Sequence, residues 1–545
     1  MGVDARRLWV WPCVLALLFF PVPLLLFNAY PSSFWTATDY QTLGLADALN
    51  MAYRIADRQM HFARGMINHP GVPFYFLNWL ALALTGFPLA SADPGFFDRV
   101  IEHVEEFYRT TAWLVALIGA AGVYVFARAA RKLVPVAVVA IGLLIWLAST
   151  PATLFTFTSP SIDSFAILIN ALFFAVLVRI AHDRDLLTSG AVLAAGVGAF
   201  AYLSKLSYLY VPLALVVVGM ANLSFRKVDP AKRKRLTLIS TGSFFLVVVG
   251  VGVTVIGWSA FRILINFHKS VFLGSGQYGT GSATVVSGHE LLSAFAAIPA
   301  DSAYALPIAL VVGAGLAVGG FFTGRRGPEH IPVALICIGT GVASLFSALF
   351  VIKHYGFHYT AGVSATLPAS TAACYLLATS LGGRFWFRTV AAALCVIAVS
   401  WMAVRSSNAL IQQLAARTDK SRLASEDLKE INARLAGSGQ PIEFGYRSPF
   451  SWSGEGFVIY YGSVPRMTDA YVASRQQLFS SGTAGLIHQK PGTYVVDKAY
   501  FPTADSIRTA PNIIPDGPEP VTWKDGDKII ELRTVFLLIP AHAAR

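Results

Sequence analysis

Residues that could do chemistry are few in this chain, and they lie at the ends of apolar segments. Asp39 follows the first apolar run, Asp163 precedes another, and Lys205 separates two more. Asp39 either acts as a general base or simply caps the helix that begins a few residues later. Asp163 either belongs to a functional site or caps the helix that follows it, a role that Ser161 could equally fill. A charged lysine in hydrocarbon costs roughly 3 kcal/mol, so Lys205 must either extend to the membrane surface or have an anionic partner.

Two further polar groups lie in stretches rich in aromatic residues. His69 begins the segment His-Pro-Gly-Val-Pro-Phe-Tyr-Phe, where a lone histidine is more often structural than catalytic. Lys353, His354 and Tyr355 lie together between two apolar runs. His354 and His358 are four residues apart, as zinc ligands on one helix face would be, but no glutamate or third ligand accompanies them. Asp39 is also a single carboxylate, which is a poor site for a divalent cation. The sequence therefore predicts no cofactor, and a divalent metal stays open without support from the residues.

The composition is that of a membrane protein. Of the 545 residues, 55% are hydrophobic and 13% are charged, a balance that a soluble domain of this size would not tolerate. The net charge of +12 reflects short basic clusters between apolar runs, which are typical of loops beside anionic lipid. The sequence therefore argues against a soluble enzyme and against a nucleic-acid partner, and it predicts contact with membrane lipids.

About eleven apolar runs are long enough to cross a bilayer as helices. Basic residues accumulate in alternate short loops, which places the N-terminus in the cytoplasm. Three longer parts then lie on the outer face: a first loop from 28 to 110, a middle loop from 262 to 301 and a C-terminal region from 405 to 545. The predicted spans cover 8–27, 111–129, 133–150, 164–180, 187–204, 206–223, 237–261, 302–322, 331–351, 361–381 and 388–404.

The region after residue 404 is polar enough to fold outside the membrane. Its leucine and isoleucine spacing predicts an amphipathic helix up to residue 437, and β-rich runs follow at 457–461, 493–497 and 529–538. The apolar tract after His69 is short and aromatic, which indicates a helix lying along the bilayer surface. The expected fold class is thus all-α and polytopic, with a transmembrane domain at 1–404 and a small α/β domain at 405–545.

One arrangement of residues resembles a known family. An acidic residue just outside the first span, followed tens of residues later by His-Pro-x-x-Pro-aromatic-Tyr and an interfacial helix, resembles the C-type (GT-C) membrane glycosyltransferases. The resemblance is to the superfamily of protein O-mannosyltransferases and lipid A aminoarabinose transferases, and it covers the layout from about residue 8 to 380. The motif makes His69 a further candidate for binding the donor. Many members carry an acidic pair at the first site, whereas here Asp39 is followed by Tyr40.

The resemblance implies roles for the other polar residues. Similar proteins carry an acidic residue near the active site in the loop that corresponds to Asp163. They carry a Ser/Thr-Lys facing a lipid-linked phosphate where Lys205 lies. A basic residue followed by His-Tyr borders their donor pocket, which implies that Lys353, His354 and Tyr355 contact the donor.

The leading hypothesis is a glycosyltransferase of a bacterial inner membrane. It would move a sugar from a polyprenyl-phosphate donor to a lipid, polysaccharide or protein acceptor on the periplasmic face, with Asp39 as general base and inversion at the sugar carbon. Lys205 and Lys353 would hold the departing phosphate, and Asp163 would orient acceptor or sugar. The rival hypotheses are a transporter or flippase for a lipid-linked or small polar substrate, and an inactive scaffold. A transporter is disfavoured because the spans contain almost no charge and no visible repeat.

Overall fold

A computed structural model gives the fold of the chain. It describes most of the apolar helices and part of the C-terminal region. The described residues are 7–30, 48–49, 51–53, 55–56, 71–93, 95–96, 99–100, 103–158, 161–182, 187–273, 288–353, 355–356, 359–381, 385–435, 442–444, 493–498, 501–513 and 522–541.

Helices make up most of this described chain, as expected for long apolar runs that must satisfy their own backbone hydrogen bonds in lipid. Short 3₁₀ turns at Ile162–Phe165, Leu206–Leu209 and Pro328–His330 lead directly into longer helices. The helices are α1 Arg7–Phe19, α2 Pro21–Ala29, α3 Val72–Leu84, α4 Val104–Ala130, α5 Val136–Ala148, α6 Pro151–Thr158, α7 Ala166–His182, α8 Leu187–Ser204, α9 Tyr210–Phe225, α10 Pro230–Ile256, α11 Trp258–Leu273, α12 Gly288–Asp301, α13 Ala305–Gly324, α14 Ile331–Lys353, α15 Thr360–Ser364, α16 Leu367–Ser380, α17 Phe385–Leu435 and α18 Ala504–Arg508.

Within the described residues, eight helical segments are long and apolar enough to cross a membrane, so the chain is a multi-pass membrane protein. The predicted count of eleven is not confirmed. The predicted spans at 133–150 and 187–204 correspond to shorter apolar helices, and the one at 388–404 is the first part of α17. The eight segments are Val10–Ala29, Val104–Ala130, Ile162–His182, Leu206–Phe225, Pro230–Val255, Ala305–Gly324, Pro328–Lys353 and Thr360–Ser380.

Helix α10 begins earlier than the predicted span at 237–261, because its first turn is capped. The Asp229 carboxylate accepts hydrogen bonds from the backbone amides of Ala231 and Lys232, and a proline opens the helix. The helix ends at Gly257, whose φ of 81° lies in the left-handed region that favours glycine. The predicted middle outer loop then contains two helices, α11 and α12.

The chain divides into two compact units. The first contains Met1–Leu26, Met66–Phe74 and Ala112–Ile411. The second contains Phe27–Gly65, Tyr75–Thr111 and Gln412–Arg545, which are most of the predicted first outer loop and most of the C-terminal region. The predicted division at residue 404 remains a prediction.

In the first unit, α13 and α14 approach each other through glycines. A Cβ atom on Gly341 would lie 2.6 Å from the Gly313 carbonyl oxygen and 2.6 Å from the Ala317 amide nitrogen, both of them backbone atoms that cannot rotate away. Small residues allow this close contact between apolar helices, where van der Waals packing replaces the hydrophobic effect as the driving force.

We expect Gly341→Ala to lower the free energy of unfolding by about 2 kcal/mol, since the added methyl forces the two helices apart. Gly315→Ala is the matched control, because a Cβ at Gly315 of α13 meets nothing within 4 Å. Thermal unfolding of the purified protein in detergent would measure both variants. Equal unfolding temperatures for the two would show that this helix contact does not depend on glycine.

Buried hydroxyl groups also join helices of the first unit. Thr150 and Thr360 lie 2.9 Å apart between their oxygens, and Thr153 and Ser364 lie 2.8 Å apart. On α14, the Ser344 hydroxyl lies 2.8 Å from that of Ser370 of α16. Each pair adds a side-chain hydrogen bond between separate elements inside an apolar bundle. Hydrogen bonds from Thr360 and Ser364 therefore hold α15 against α6 and the residues that join it to α5.

The second unit contains four strands: β1 Ile442–Phe444, β2 Thr493–Asp497, β3 Lys528–Glu531 and β4 Val535–Ile539. They form one sheet in the order β1-β2-β4-β3, with β1 parallel to β2 and the other pairs antiparallel. Apolar side chains of the sheet and of α18 form its core, including Val496, Ile507 and Phe536. The α/β character predicted for this region is therefore confirmed.

The β-rich run predicted at 529–538 contains two strands, β3 and β4, joined by a tight turn. The carboxylate of Asp427, on α17, accepts hydrogen bonds from the backbone amides of Arg533 and Thr534, at 3.1 and 2.6 Å, and from the Thr534 hydroxyl at 2.6 Å. Asp427 is fully buried, so these contacts replace its hydration. The run predicted at 457–461 lies outside the described residues.

Candidate functional site

Asp163 lies in the 3₁₀ turn that leads into α7, and it is buried. Its carboxylate does not cap that helix: the N-cap residue is Ser161, whose backbone amide donates a hydrogen bond to the Ser164 hydroxyl. Both Asp163 carboxylate oxygens instead accept hydrogen bonds from side chains. The Lys205 ammonium donates to Oδ2 at 2.6 Å, and the Tyr208 hydroxyl donates to Oδ1 at 3.0 Å.

Lys205 is the extended residue between α8 and the turn that begins α9. Of the two roles open to it, an anionic partner is the one observed, since its side chain is fully buried and pairs with Asp163. Its Nζ also lies 4.1 Å from the centroid of the Tyr359 ring, a distance at which the ring face attracts a cation. A buried ion pair of this kind needs such additional contacts to offset the loss of hydration.

Two tyrosines contact the ion pair: Tyr208 contacts Asp163, and Tyr359 contacts Lys205. Tyr208 is fully buried, and a Cβ on Gly362 of α15 would lie 3.2 Å from its ring, so the absence of a side chain there leaves room for the tyrosine. Tyr359 precedes α15 and packs against the apolar cluster that includes Val351. The ends of four helices thus fix the positions of these groups.

The segment that follows His69 contacts the end of α8, directly before Lys205. The Gly71 amide donates a hydrogen bond to the Ser204 carbonyl, at 3.2 Å, next to Lys205. Gly71 has a φ of 58°, which glycine adopts without strain. The beginning of the predicted interfacial helix, α3, is therefore anchored beside the Lys205 ion pair.

Lys353 and Tyr355 are two further predicted site residues, and both lie shortly before Tyr359 in the sequence. Lys353 is the last residue of α14 and is buried. The Tyr355 hydroxyl donates a hydrogen bond to the Asp301 carboxylate at 2.6 Å. Burial raises the pKa of Tyr355 above its ordinary value of 10.0, and the hydrogen bond to Asp301 and its negative charge act in the same direction. Tyr355 therefore stays protonated at neutral pH, and its stabilising contact with Asp301 is lost as the pH rises above the raised pKa.

Three of the predicted site residues, Asp39, His69 and His354, lie outside the described residues. Of the others, Asp163 and Lys205 are brought into direct contact. Lys353 and Tyr355 are not part of that contact, although Tyr355 lies four residues before Tyr359 in the sequence. Across the part of the chain that the structure describes, no group of three or more His, Cys, Asp or Glu side chains is placed to hold a metal ion.

Two solved structures are similar to this chain over nearly its whole length. Both are crystal structures of ArnT from Cupriavidus metallidurans, one bound to undecaprenyl phosphate and one in the apo state. The first is 13% identical, with a TM-score of 0.47, and the match covers 96% of this chain and 97% of that one. The second is 14% identical, with the same TM-score, over 95% and 98%. No family model matches the sequence, and neither does any curated protein.

Three residues that the structure places at these groups are not marked by any motif in the sequence: Tyr208, Tyr359 and Asp301. Tyr208 lies three residues after Lys205, a spacing that returns to the same side of a helical turn. Asp301 is an acidic residue directly before an apolar span, as Asp163 is. That shared position is the signal that could have identified Asp301.

Proposed function

We propose that this protein is an integral membrane glycosyltransferase. It moves a sugar from a polyprenyl-phosphate donor to an acceptor hydroxyl on the periplasmic face of a bacterial inner membrane, with inversion at the sugar carbon. The N-terminus lies in the cytoplasm and the C-terminal domain in the periplasm. Asp39 is the general base, and Lys205, Lys353, His354, Tyr355 and His69 bind the donor.

The observation that carries the proposal is the buried ion pair between Asp163 and Lys205 at the ends of apolar helices. Asp163 is 2% exposed and Lys205 is 0% exposed. Withdrawing two charges from water costs several kcal/mol per ion, so hydrophobic residues of similar size would stabilise such a position as well or better. Ionisable residues within membrane bundles mark substrate or ion pathways by default.

The chemistry of the ion pair suits a phosphate leaving group. An ammonium carries three N–H donors, so the contact between Lys205 and Asp163 is compatible with a further contact to phosphate. Lys353 adds a second buried cation. The single O–H of Tyr355 is donated to Asp301, so the hydroxyl oxygen of Tyr355 contacts the donor sugar as a hydrogen-bond acceptor. Cations aimed at the oxygen that gains charge stabilise the transition state most in a site that excludes water.

The proposed reaction is a single displacement. Asp39 takes the proton of the acceptor hydroxyl as its oxygen bonds to the anomeric carbon of the sugar. The bond between that carbon and the phosphate oxygen breaks, and polyprenyl phosphate leaves with both bonding electrons. Asp163 holds Lys205 and orients the sugar or the acceptor. Because one displacement involves no covalent intermediate with the enzyme, the anomeric configuration is inverted.

The first test is sugar transfer by membranes that contain wild-type protein or Asp39→Asn at matched expression. Radiolabelled polyprenyl-phosphate sugars serve as donors and extracted membrane components as acceptors. We expect Asp39→Asn to lower the rate at least about 100-fold, the usual contribution of a general base. Asp93→Asn is the matched control, because Asp93 is an exposed carboxylate of the same outer region that pairs with Arg99.

A variant Asp39→Asn that transfers sugar as fast as wild type would exclude Asp39 as the base. Loss of activity in both Asp39→Asn and Asp93→Asn would indicate a general loss of structure. If the wild-type protein transfers no sugar from any donor but moves a lipid-linked substrate across vesicle bilayers, the transporter hypothesis replaces this one.

A further inference from the structure

A cavity of about 1060 Å³ lies between the C-terminal ends of α4 and α7, within the first unit. Helix α7 begins beside Asp163 and ends at His182, so at 1.5 Å per residue its ends lie roughly 25 Å apart. The cavity is therefore at the membrane surface opposite the candidate site. It is separate from the Lys205 ion pair and has no role in the proposed reaction.

The cavity is strongly basic. Four cationic side chains line it: Arg128, Arg131, Lys132 and Arg179. Asp183 and Asp185 follow α7 in the sequence and lie outside the described residues, but two acids are outnumbered by four cations. Cations also stabilise helix C-termini, where the backbone carbonyls carry partial negative charge. That role is already filled at α7 by Arg226, whose guanidinium donates a hydrogen bond to the Ala181 carbonyl at 2.8 Å.

The cavity also has an apolar wall. Val125 and Leu133 contribute to it from α4 and the turn after it, and Ala175 and Val178 contribute from α7. A free phosphate ion gains nothing from such a wall. A lipid headgroup does, because its glycerol and the first carbons of its acyl chains lie directly below its phosphate, at the level where these two transmembrane helices enter the hydrocarbon.

We propose that this cavity binds the headgroup of an anionic phospholipid, with the four cations around the phosphate and the apolar wall against the glycerol and acyl chains. Basic pockets between transmembrane helices are known to bind anionic headgroups in this way. The site is independent of the proposed transferase activity, and its test does not use that activity.

The test is lipid binding to the purified full-length protein, measured by native mass spectrometry with phosphatidylglycerol and with phosphatidylcholine. Lys132→Gln/Arg179→Gln removes two cations whose side chains are exposed, so the fold should be retained. Each surface cation strengthens attraction to anionic lipid roughly fivefold, so we expect this variant to bind phosphatidylglycerol about 25-fold more weakly. Arg325→Gln/Arg326→Gln, which removes two exposed cations from another turn, should bind like wild type.

Three results would overturn the proposal. The first is equal binding of the two lipids by wild-type protein. The second is an equal loss of phosphatidylglycerol binding in both double variants, which would indicate general attraction of the lipid to basic surfaces and no specific binding in the cavity. The third is displacement of phosphatidylglycerol by millimolar inorganic phosphate, which would make the ligand a soluble phosphate. The proposal is supported if phosphatidylglycerol binding is weakened only in Lys132→Gln/Arg179→Gln and if inorganic phosphate does not displace the bound lipid.

Discussion

Replacement of Lys205 by methionine is expected to lower the free energy of unfolding by about 3–5 kcal/mol and to abolish sugar transfer. The substitution leaves the Asp163 carboxylate buried without its cation, and Tyr208 alone cannot compensate that charge. Loss of one partner of a buried ion pair is among the most destabilising single changes in proteins. Unfolding of the purified protein in mixed micelles would measure the loss.

The double variant Asp163→Asn/Lys205→Met separates stability from activity. A neutral pair of similar volume avoids the uncompensated charge, so most of the lost stability should return. Transfer should remain abolished, because neither the cation nor the carboxylate is present. The matched control is Lys269→Met, which makes the same lysine-to-methionine change at an exposed position of α11.

Two results would contradict this account of the ion pair. A free energy of unfolding for Lys205→Met within about 1 kcal/mol of the wild-type value would mean that water reaches Asp163. Transfer by the double variant at the wild-type rate would remove both residues from the proposed reaction and leave the pair a structural role.

Asp427→Ala is expected to destabilise the second unit by about 3 kcal/mol. The fully buried carboxylate accepts three hydrogen bonds from the turn between β3 and β4. A hydrogen bond to a charged group contributes about 1.5–3 kcal/mol, and alanine would leave two backbone amides of that turn without their acceptor. The resistance of the C-terminal region to added protease, measured over a range of urea concentrations, would report the change.

The control for Asp427 is Arg422→Ala on the same helix. Arg422 pairs with Glu426 at the surface, and its side chain is 59% exposed. An exposed pair four residues apart on a helix contributes about 0.3–0.5 kcal/mol, so this variant should be nearly as resistant as wild type. Equal sensitivity of the two variants would show that the turn does not depend on Asp427.

Much of the helical architecture could be predicted from apolar run length alone. The span predicted at 164–180 is observed as α7, and the bend predicted at Lys205 separates α8 from the turn that begins α9. Hydrophobic runs determine such helices because each satisfies its own backbone within lipid, without reference to distant residues. Helix ends were predicted less well where capping acts: Asp229 begins α10 seven residues before the predicted span.

The sequence by itself determined the class of the protein, the approximate spans and the positions of Asp163 and Lys205 at the mouths of apolar helices. Only the tertiary structure decided that these two side chains, 42 residues apart, form one buried pair, with Tyr208 and Tyr359 around them. Only the tertiary structure likewise decided that four cations line one cavity and that Asp427 binds the turn between β3 and β4. Hydrophobic periodicity predicts which face of a helix is buried, whereas the partner of a buried charge depends on which helices pack together.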